Sequence, residues 1–373
     1  MRDVIAVVLV GALIVGAYFG YKVIFGGEGV STESQAAAST SSESSVSAPK
    51  GPISTAQPAD EARQAAVTTP PQSQETKPAE SVAAAAPQES TPTLPTQEDP
   101  ARKLFEQARI LLNENRTQEA ATCLNTTITQ YPDSPYSAPA AATLGGIMLG
   151  IDKWTARNLY SFAFDHTQDS KLREDCKKAL DPLNAELVFS PKPGGSDSKL
   201  YQIQPGEVLT TIAAKFNCPY RFIMLINNID DARNLRAGDR IKVLTGPKGK
   251  MEMKIVVDKS DFTLTVYLNN CYLKQYKVGL GKFDKTPVGT FAITERVEKP
   301  TWRGLKHGDP NNILGDYWLT LASDKFSGLG IHGTNEPDTI GKNASEGCIR
   351  MRNEDIKELY IMVPKGTEVS IRE

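Results

Sequence analysis

The chain has 373 residues, enough for two or three small domains, and a formal net charge of -2. With no broad basic field to hold a phosphate backbone, the composition argues against nucleic-acid binding. Hydrophobic residues make up 40% of the sequence, below the usual share, and they are unevenly spread along it.

Val4 to Tyr21 is apolar or glycine throughout, between Arg2 and Lys22. At ~1.5 Å per residue such a run just spans a hydrocarbon core. A cleaved signal peptide would have a shorter run ending in a small-x-small site, and Phe25 is followed only by Gly26 and Gly27. The expectation is therefore an uncleaved transmembrane anchor over residues 1–26, making the membrane a partner. Residues 27–99 are dominated by Ser, Thr, Ala, Pro, Gln and Glu and lack hydrophobic periodicity. Such a segment cannot bury enough surface to offset its ordering entropy, so it reads as a disordered linker with an r.m.s. reach of roughly 45–50 Å.

Asp99-Pro100 is a helix-start signal, and Leu104, Ala108, Leu111 and Leu112 follow at helical spacing. Ala120, Ala121, Leu124 and Ile128 repeat the pattern, and further helices fit Ala138 to Leu149, Lys153 to Phe164 and Asp169 to Leu187. Residues 100–189 thus form an all-α region whose paired helices resemble tetratricopeptide-type repeats, which implies a protein partner. A plain helical spacer is the alternative. His166 stands alone here and reads as a structural or surface residue. The five cysteines, Cys123, Cys176, Cys218, Cys271 and Cys348, show no metal-ligand spacing. A Cys123–Cys176 bridge stays open outside the cell. No metal or organic cofactor is expected.

Ser190 to Ser198 is rich in Pro, Gly and Ser and reads as a linker. Residues 199–244 then run strand, helix, helix, strand: Tyr201 and Ile203, the face Leu209, Ile212, Ala213 and Phe216, the face Phe222, Ile223, Leu225 and Ile226, and Ile241 to Leu244. Tyr201-Gln202-Ile203, Pro205-Gly206-Glu207, Asn227 and Leu235-x-x-Gly238-Asp239-x-Ile241 resemble a lysin-motif (LysM) domain. Glu207 stands where that family usually has Asp. The resemblance implies a small βααβ unit that binds N-acetylglucosamine-containing glycan strands.

From Met251 to Glu373 the chain is mostly β. Met253, Ile255 and Val257 alternate, as do Phe262, Leu264 and Val266. Tyr272 to Val278, Phe291 to Thr294, Tyr317 to Leu321, Leu329 to His332 and Val369 to Ile371 read as further strands. Asn353 to Met362 reads as a helix with Asn353 as its cap. Chemistry concentrates in Gly330-Ile331-His332-Gly333-Thr334-Asn335 and Ser345-Glu346-Gly347-Cys348-Ile349-Arg350-Met351. A thiol titrating at roughly 8.5 is only a few per cent thiolate near neutral pH and needs a base, which a nearby imidazole supplies. Gly347 leaves room for a substrate beside the sulfur, and the Gly347 and Cys348 amides are candidates for an oxyanion hole. Arg350 is a candidate carboxylate ligand, with an ion pair as its alternative role. On residues alone, a Cys and a His in glycine-rich loops also fit two structural residues.

These stretches, with Thr286-Pro287-x-Gly289-x-Phe291, Leu314-Gly315-x-Tyr317-Trp318-Leu319 and Ile340-Gly341, closely resemble the L,D-transpeptidase catalytic domain over residues 251–373. The resemblance implies that Cys348 attacks a carbonyl in a peptidoglycan tetrapeptide stem and that a second stem's amine resolves the thioester. It also implies that His332 moves the proton, that the Gly333 carbonyl orients its ring, and that Ser345 supports the Cys348 loop. Many members carry His where this chain has Glu346, which leaves His332 as the base. His307 reads as a loop residue without catalytic duty. An anchor, a tether, a glycan module and a wall enzyme together imply a bacterial cell-envelope location outside the cytoplasmic membrane. A hydrolase on the same scaffold and a non-catalytic peptidoglycan-binding scaffold are the competing readings. A papain-like protease fits poorly, because there the Cys precedes the His.

Overall fold

The computed structural model describes residues 99–322, 326 and 328–373. The expected anchor (1–26) and all but the last residue of the expected linker (27–99) lie outside them. Among the described residues no helix is long and apolar enough to cross a membrane.

Five helices open the described chain: α1 (Pro100–Asn113), α2 (Thr117–Gln130), α3 (Ser137–Met148), α4 (Lys153–His166) and α5 (Ser170–Leu187). Asp99 caps α1 by accepting from the Ala101 N–H at 3.0 Å, and Asp152 and Asp169 cap α4 and α5 in the same way. Successive helices pack as neighbours around a core of small and aliphatic residues, including Ala108, Ala120, Leu124, Ala141, Leu159 and Leu180. The resemblance to tetratricopeptide repeats finds no further support. All five cysteines are free thiols, so Cys123 and Cys176 are not bridged.

Next comes a two-stranded antiparallel pair, β1 (Ser198–Gln202) with β2 (Arg240–Leu244), enclosing α6 (Leu209–Phe216) and α7 (Tyr220–Ile226). Leu209, Ile212 and Phe216 of α6 and Phe222, Ile223 and Ile226 of α7 are buried, whereas Leu225 faces outward at 42% exposure.

The remainder builds an eight-stranded sheet from β3 (Met253–Asp258), β4 (Thr263–Leu268), β5 (Cys271–Lys277), β7 (Gly289–Glu298), β8 (Tyr317–Ala322), β9 (Leu329–His332), β11 (Ile349–Arg350) and β12 (Glu368–Arg372). The spatial order is β11-β9-β8-β7-β12-β3-β4-β5, so the last strand in sequence lies inside the sheet. β12 runs parallel to β3 and β11 parallel to β9; the other pairs are antiparallel. The short β6 (Leu280–Gly281) and β10 (Asn343–Ser345) pair separately in parallel, and α8 (Asn353–Met362) contacts β8 and β9.

Strand β3 alternates as its sequence suggests, with Met253, Ile255 and Val257 buried. β4 does not. Phe262 sits in the preceding turn at φ 52°, and Thr263 and Thr265 are buried along with Leu264 and Val266. The reason is a second layer: α4 and α5 contact β5, which places Phe164 against Tyr272 at 4.8 Å between ring centroids.

Buried polar ties hold that layer. Arg157, fully buried, donates to Asn184 Oδ1 (2.6 Å), Asp197 Oδ2 (3.0 Å) and the Tyr272 carbonyl (3.4 Å). Asn184 Nδ2 bonds the Tyr272 and Leu273 carbonyls. Lys242 of β2 donates to the carbonyls of Leu187, Val188 and Ser190 at the C-terminal end of α5, where the helix dipole favours a cation. Burial pushes its ammonium down to about 8. The segment that reads as a plain linker therefore contains a buried ion-pair partner, Asp197.

Candidate active site

The register of the sheet edge brings two distant segments together. On β9, His332 lies opposite Trp318 of β8 on one side and Arg350 of β11 on the other. Cys348 is the residue immediately before β11. His332, Ser345, Cys348 and Arg350 line one cavity of about 450 Å³, with Trp302 and Trp318 among its walls. A larger cavity, about 530 Å³, lies between α4 and strands β3–β5. It contains His166 but none of the expected site residues.

The His332 side chain is almost completely buried, and its Nδ1 lies 2.5 Å from the Gly333 carbonyl. A carbonyl only accepts, so Nδ1 carries the proton and Nε2 remains as the basic nitrogen. The ring stacks on Trp318, with centroids 5.5 Å apart and planes 19° apart. Gly330 makes this stack fit, because a Cβ there would collide with the Trp318 ring. Burial drives the imidazole down to about 4; the Gly333 bond opposes that shift and the Arg350 charge adds to it. Cys348 is half-buried, and its thiol donates to the Gly328 carbonyl at 3.7 Å. Burial pushes the thiol above its ordinary value, against smaller downward effects from the Gly330 backbone and Arg350. Both shifts run toward the uncharged forms, a thiol and a neutral imidazole.

Two hydroxyls hold the turn that carries the sulfur. Ser345 Oγ donates to the Cys348 carbonyl (2.6 Å) and accepts from the Gly347 N–H (3.1 Å). Thr286 Oγ1 donates to the Gly347 carbonyl (2.8 Å) and accepts from the Gly281 N–H (2.8 Å). The Gly347 amide, a candidate oxyanion donor in the sequence, is therefore engaged by Ser345. Gly347 itself has φ 134°, a backbone region that side chains rarely enter.

Arg350 is nearly buried and lines the cavity. Its Nη1 donates to Glu336 Oε2 (2.5 Å) and Thr339 Oγ1 (3.2 Å), while its buried Nε has no partner among the described residues. A substrate carboxylate would have to reach the remaining N–H groups. Glu346, exposed, pairs with Lys285 at 2.5 Å, which holds its carboxyl below the usual value. His307 binds Asp316 at 2.6 Å and does not line the cavity. Among the described residues no cluster of His, Cys, Asp and Glu is arranged to hold a metal.

Asn353 has a different task from the one its position suggests. It makes no cap; Arg352 precedes α8 without a side-chain cap bond. Instead the Asn353 amide accepts from the Thr334 N–H and donates to the Thr334 carbonyl, both at 3.1 Å. This clamps the turn after His332, and Gly315 and Gly333 are small enough to let the amide in. Thr286 and Asn353 both fall in or beside the sequence motifs, but a bond between remote segments leaves no local periodicity.

Residues 252–371 match the L,D-transpeptidase catalytic domain, and residues 201–244 match the LysM domain. Two relatives carry the name "Putative L,D-transpeptidase YkuD". That of Bacillus licheniformis is 37% identical over 175 residues, which span 98% of it and 46% of this chain. That of Bacillus subtilis is 39% identical over 173 residues, spanning 97% and 46%. The chain belongs to the L,D-transpeptidase family. A solved L,D-transpeptidase from Mycobacterium smegmatis aligns at 21% identity and a TM-score of 0.29, covering 36% of this chain and 64% of its own; family membership rests on the sequence relatives. Residues 99–189 lie outside both family matches.

Proposed function

We propose that the protein cross-links bacterial peptidoglycan as an L,D-transpeptidase, with Cys348 as nucleophile and His332 as general base. The supporting observation is the cavity that the thiol and the imidazole share in a chain of this family. The neutral resting pair favours proton transfer in step with attack. As sulfur bonds to the carbonyl carbon of a tetrapeptide stem, the thiol proton passes to His332 Nε2 and the carbonyl oxygen takes up negative charge. When the tetrahedral intermediate collapses, the C–N bond to the terminal D-Ala breaks, and the departing amine takes that proton. A thioester remains. The acceptor stem's amine then attacks the thioester and gives its proton to Nε2. The C–S bond breaks, the sulfur is reprotonated, and an amide cross-link has formed.

Gly333 orients the base through its carbonyl, and Ser345 holds the nucleophile's turn. Gly347 and Arg350 shape the approach of the substrate. The LysM unit would hold the glycan strands that carry the stems, and the run from Val4 to Tyr21 would anchor the protein at the membrane with its enzymatic portion in the cell envelope. The helical region acts first as a buttress of the sheet, with an outer face left for a protein partner.

Incubation with tetrapeptide muropeptides tests the reading. Cross-linked dimers are expected, and Cys348→Ala should abolish them. Tripeptides without dimers would instead establish hydrolysis, and no change in either product would leave a wall-binding scaffold.

A further inference from the structure

Resting on the proposed acyl transfer, we infer that Thr286 is a positioning residue that aims the Cys348 N–H as the oxyanion donor. The Gly347 carbonyl and the Cys348 N–H belong to one peptide unit. In a planar trans peptide they point in opposite directions. Thr286 Oγ1 donates to that carbonyl at 2.8 Å and is itself fixed by the Gly281 N–H at 2.8 Å. Thr286 is 1% exposed and does not line the cavity, whereas Cys348 does. Fixing the carbonyl on the buried side therefore turns the Cys348 N–H away from Thr286, toward the side where the sulfur meets its substrate.

This bond has a specific job because of where it sits. Gly347, at φ 134°, has no side chain to restrict rotation of the peptide that follows. Ser345 holds the Gly347 N–H and the Cys348 carbonyl, which belong to the two flanking peptides. The peptide between them is held by Thr286. Close packing completes the arrangement: a Cβ at Gly281 would meet the Thr286 nitrogen at 2.8 Å and the Gly347 Cα at 2.9 Å.

An oxyanion donor matters when a carbonyl becomes tetrahedral, and it is idle when the sulfur is alkylated at a saturated carbon. The test compares the two reactions in the full chain carrying Thr286→Val or Thr286→Ser. Acylation of Cys348 by a tetrapeptide donor and alkylation by iodoacetamide are both read by mass at that residue. Removing an oxyanion donor costs ~100-fold or more in kcat. Thr286→Val is expected to lower the acylation kcat by about that factor with KM little changed. Alkylation should stay within about twofold, and Thr286→Ser, which keeps both hydrogen bonds, should restore acylation. Equal loss of both reactions, or unchanged acylation in a folded Thr286→Val protein, would overturn the assignment. Acylation without dimers in the unaltered protein would count against transpeptidation while leaving this comparison intact.

Discussion

The two ends of the eight-stranded sheet are built on different principles. At the β3–β4–β5 end, α4 and α5 cover a second face, so polar residues are buried there and must be paired. At the β8–β9–β11 end the sheet opens into the cavity, and polar side chains are tied to the backbone of the turns instead. One end spends its buried hydrogen bonds on joining segments; the other uses them to fix a thiol and an imidazole in one orientation. The lesson is that the same interaction can join segments in one place and orient a candidate reactive pair in another.

Breaking the covered end should therefore cost stability before chemistry. Arg157→Leu leaves Asp197 buried without its cation, and removing one partner of a buried pair costs roughly 3–5 kcal/mol. Denaturant unfolding is expected to show that loss. Turnover per folded molecule, measured well below the melting temperature, should remain near that of the unaltered protein. A large loss of turnover without loss of stability would merge the two ends into one functional unit.

Acid separates them next. The folded-state pKa of His332, about 4, lies below the ordinary histidine value of 6.5. The unfolded chain therefore binds more protons between these values. The stability tied to the neutral ring is complete above pH 6.5 and is lost as pH falls toward 4, by roughly 3 kcal/mol in all. The acid limb of kcat/KM should fall near pH 4. A limb near 6.5 would mean that the ring is not desolvated when it acts.

At the open end, Asn353→Ala should release the Thr334 backbone and lower kcat about tenfold, a loss of ~1.4 kcal/mol. Thr334 is buried, but the Asn353 residue that holds it is exposed, so water can replace part of the lost bonding. The smallest effect belongs to Glu346→Gln. Its ion pair with Lys285 is exposed, so kcat should stay within about twofold and the melting temperature should not move measurably.

The sequence carried the open end well and the covered end poorly. His332-Gly333-Thr334 and Ser345 to Cys348 are contiguous motifs, so the resemblance brought them out residue by residue. Alternation exposed β3 because one of its faces is apolar. It failed at Thr263 and Thr265, whose burial depends on helices about 100 residues earlier in the chain. Arg157 looked like any helical arginine, since its partners at positions 184, 197 and 272 share no local pattern with it. Asn353 fits a helix cap equally well in one dimension; only the approach of Gly315 and Gly333 reveals the clamp.

The most direct test of the account is the reaction of the full chain at pH 7 with a tetrapeptide donor and no acceptor, read by intact mass and peptide mapping. A single acyl adduct on Cys348 is expected, formed ~1,000-fold more slowly in His332→Ala. An adduct on another residue, or one that forms at an unchanged rate without the imidazole, would contradict it.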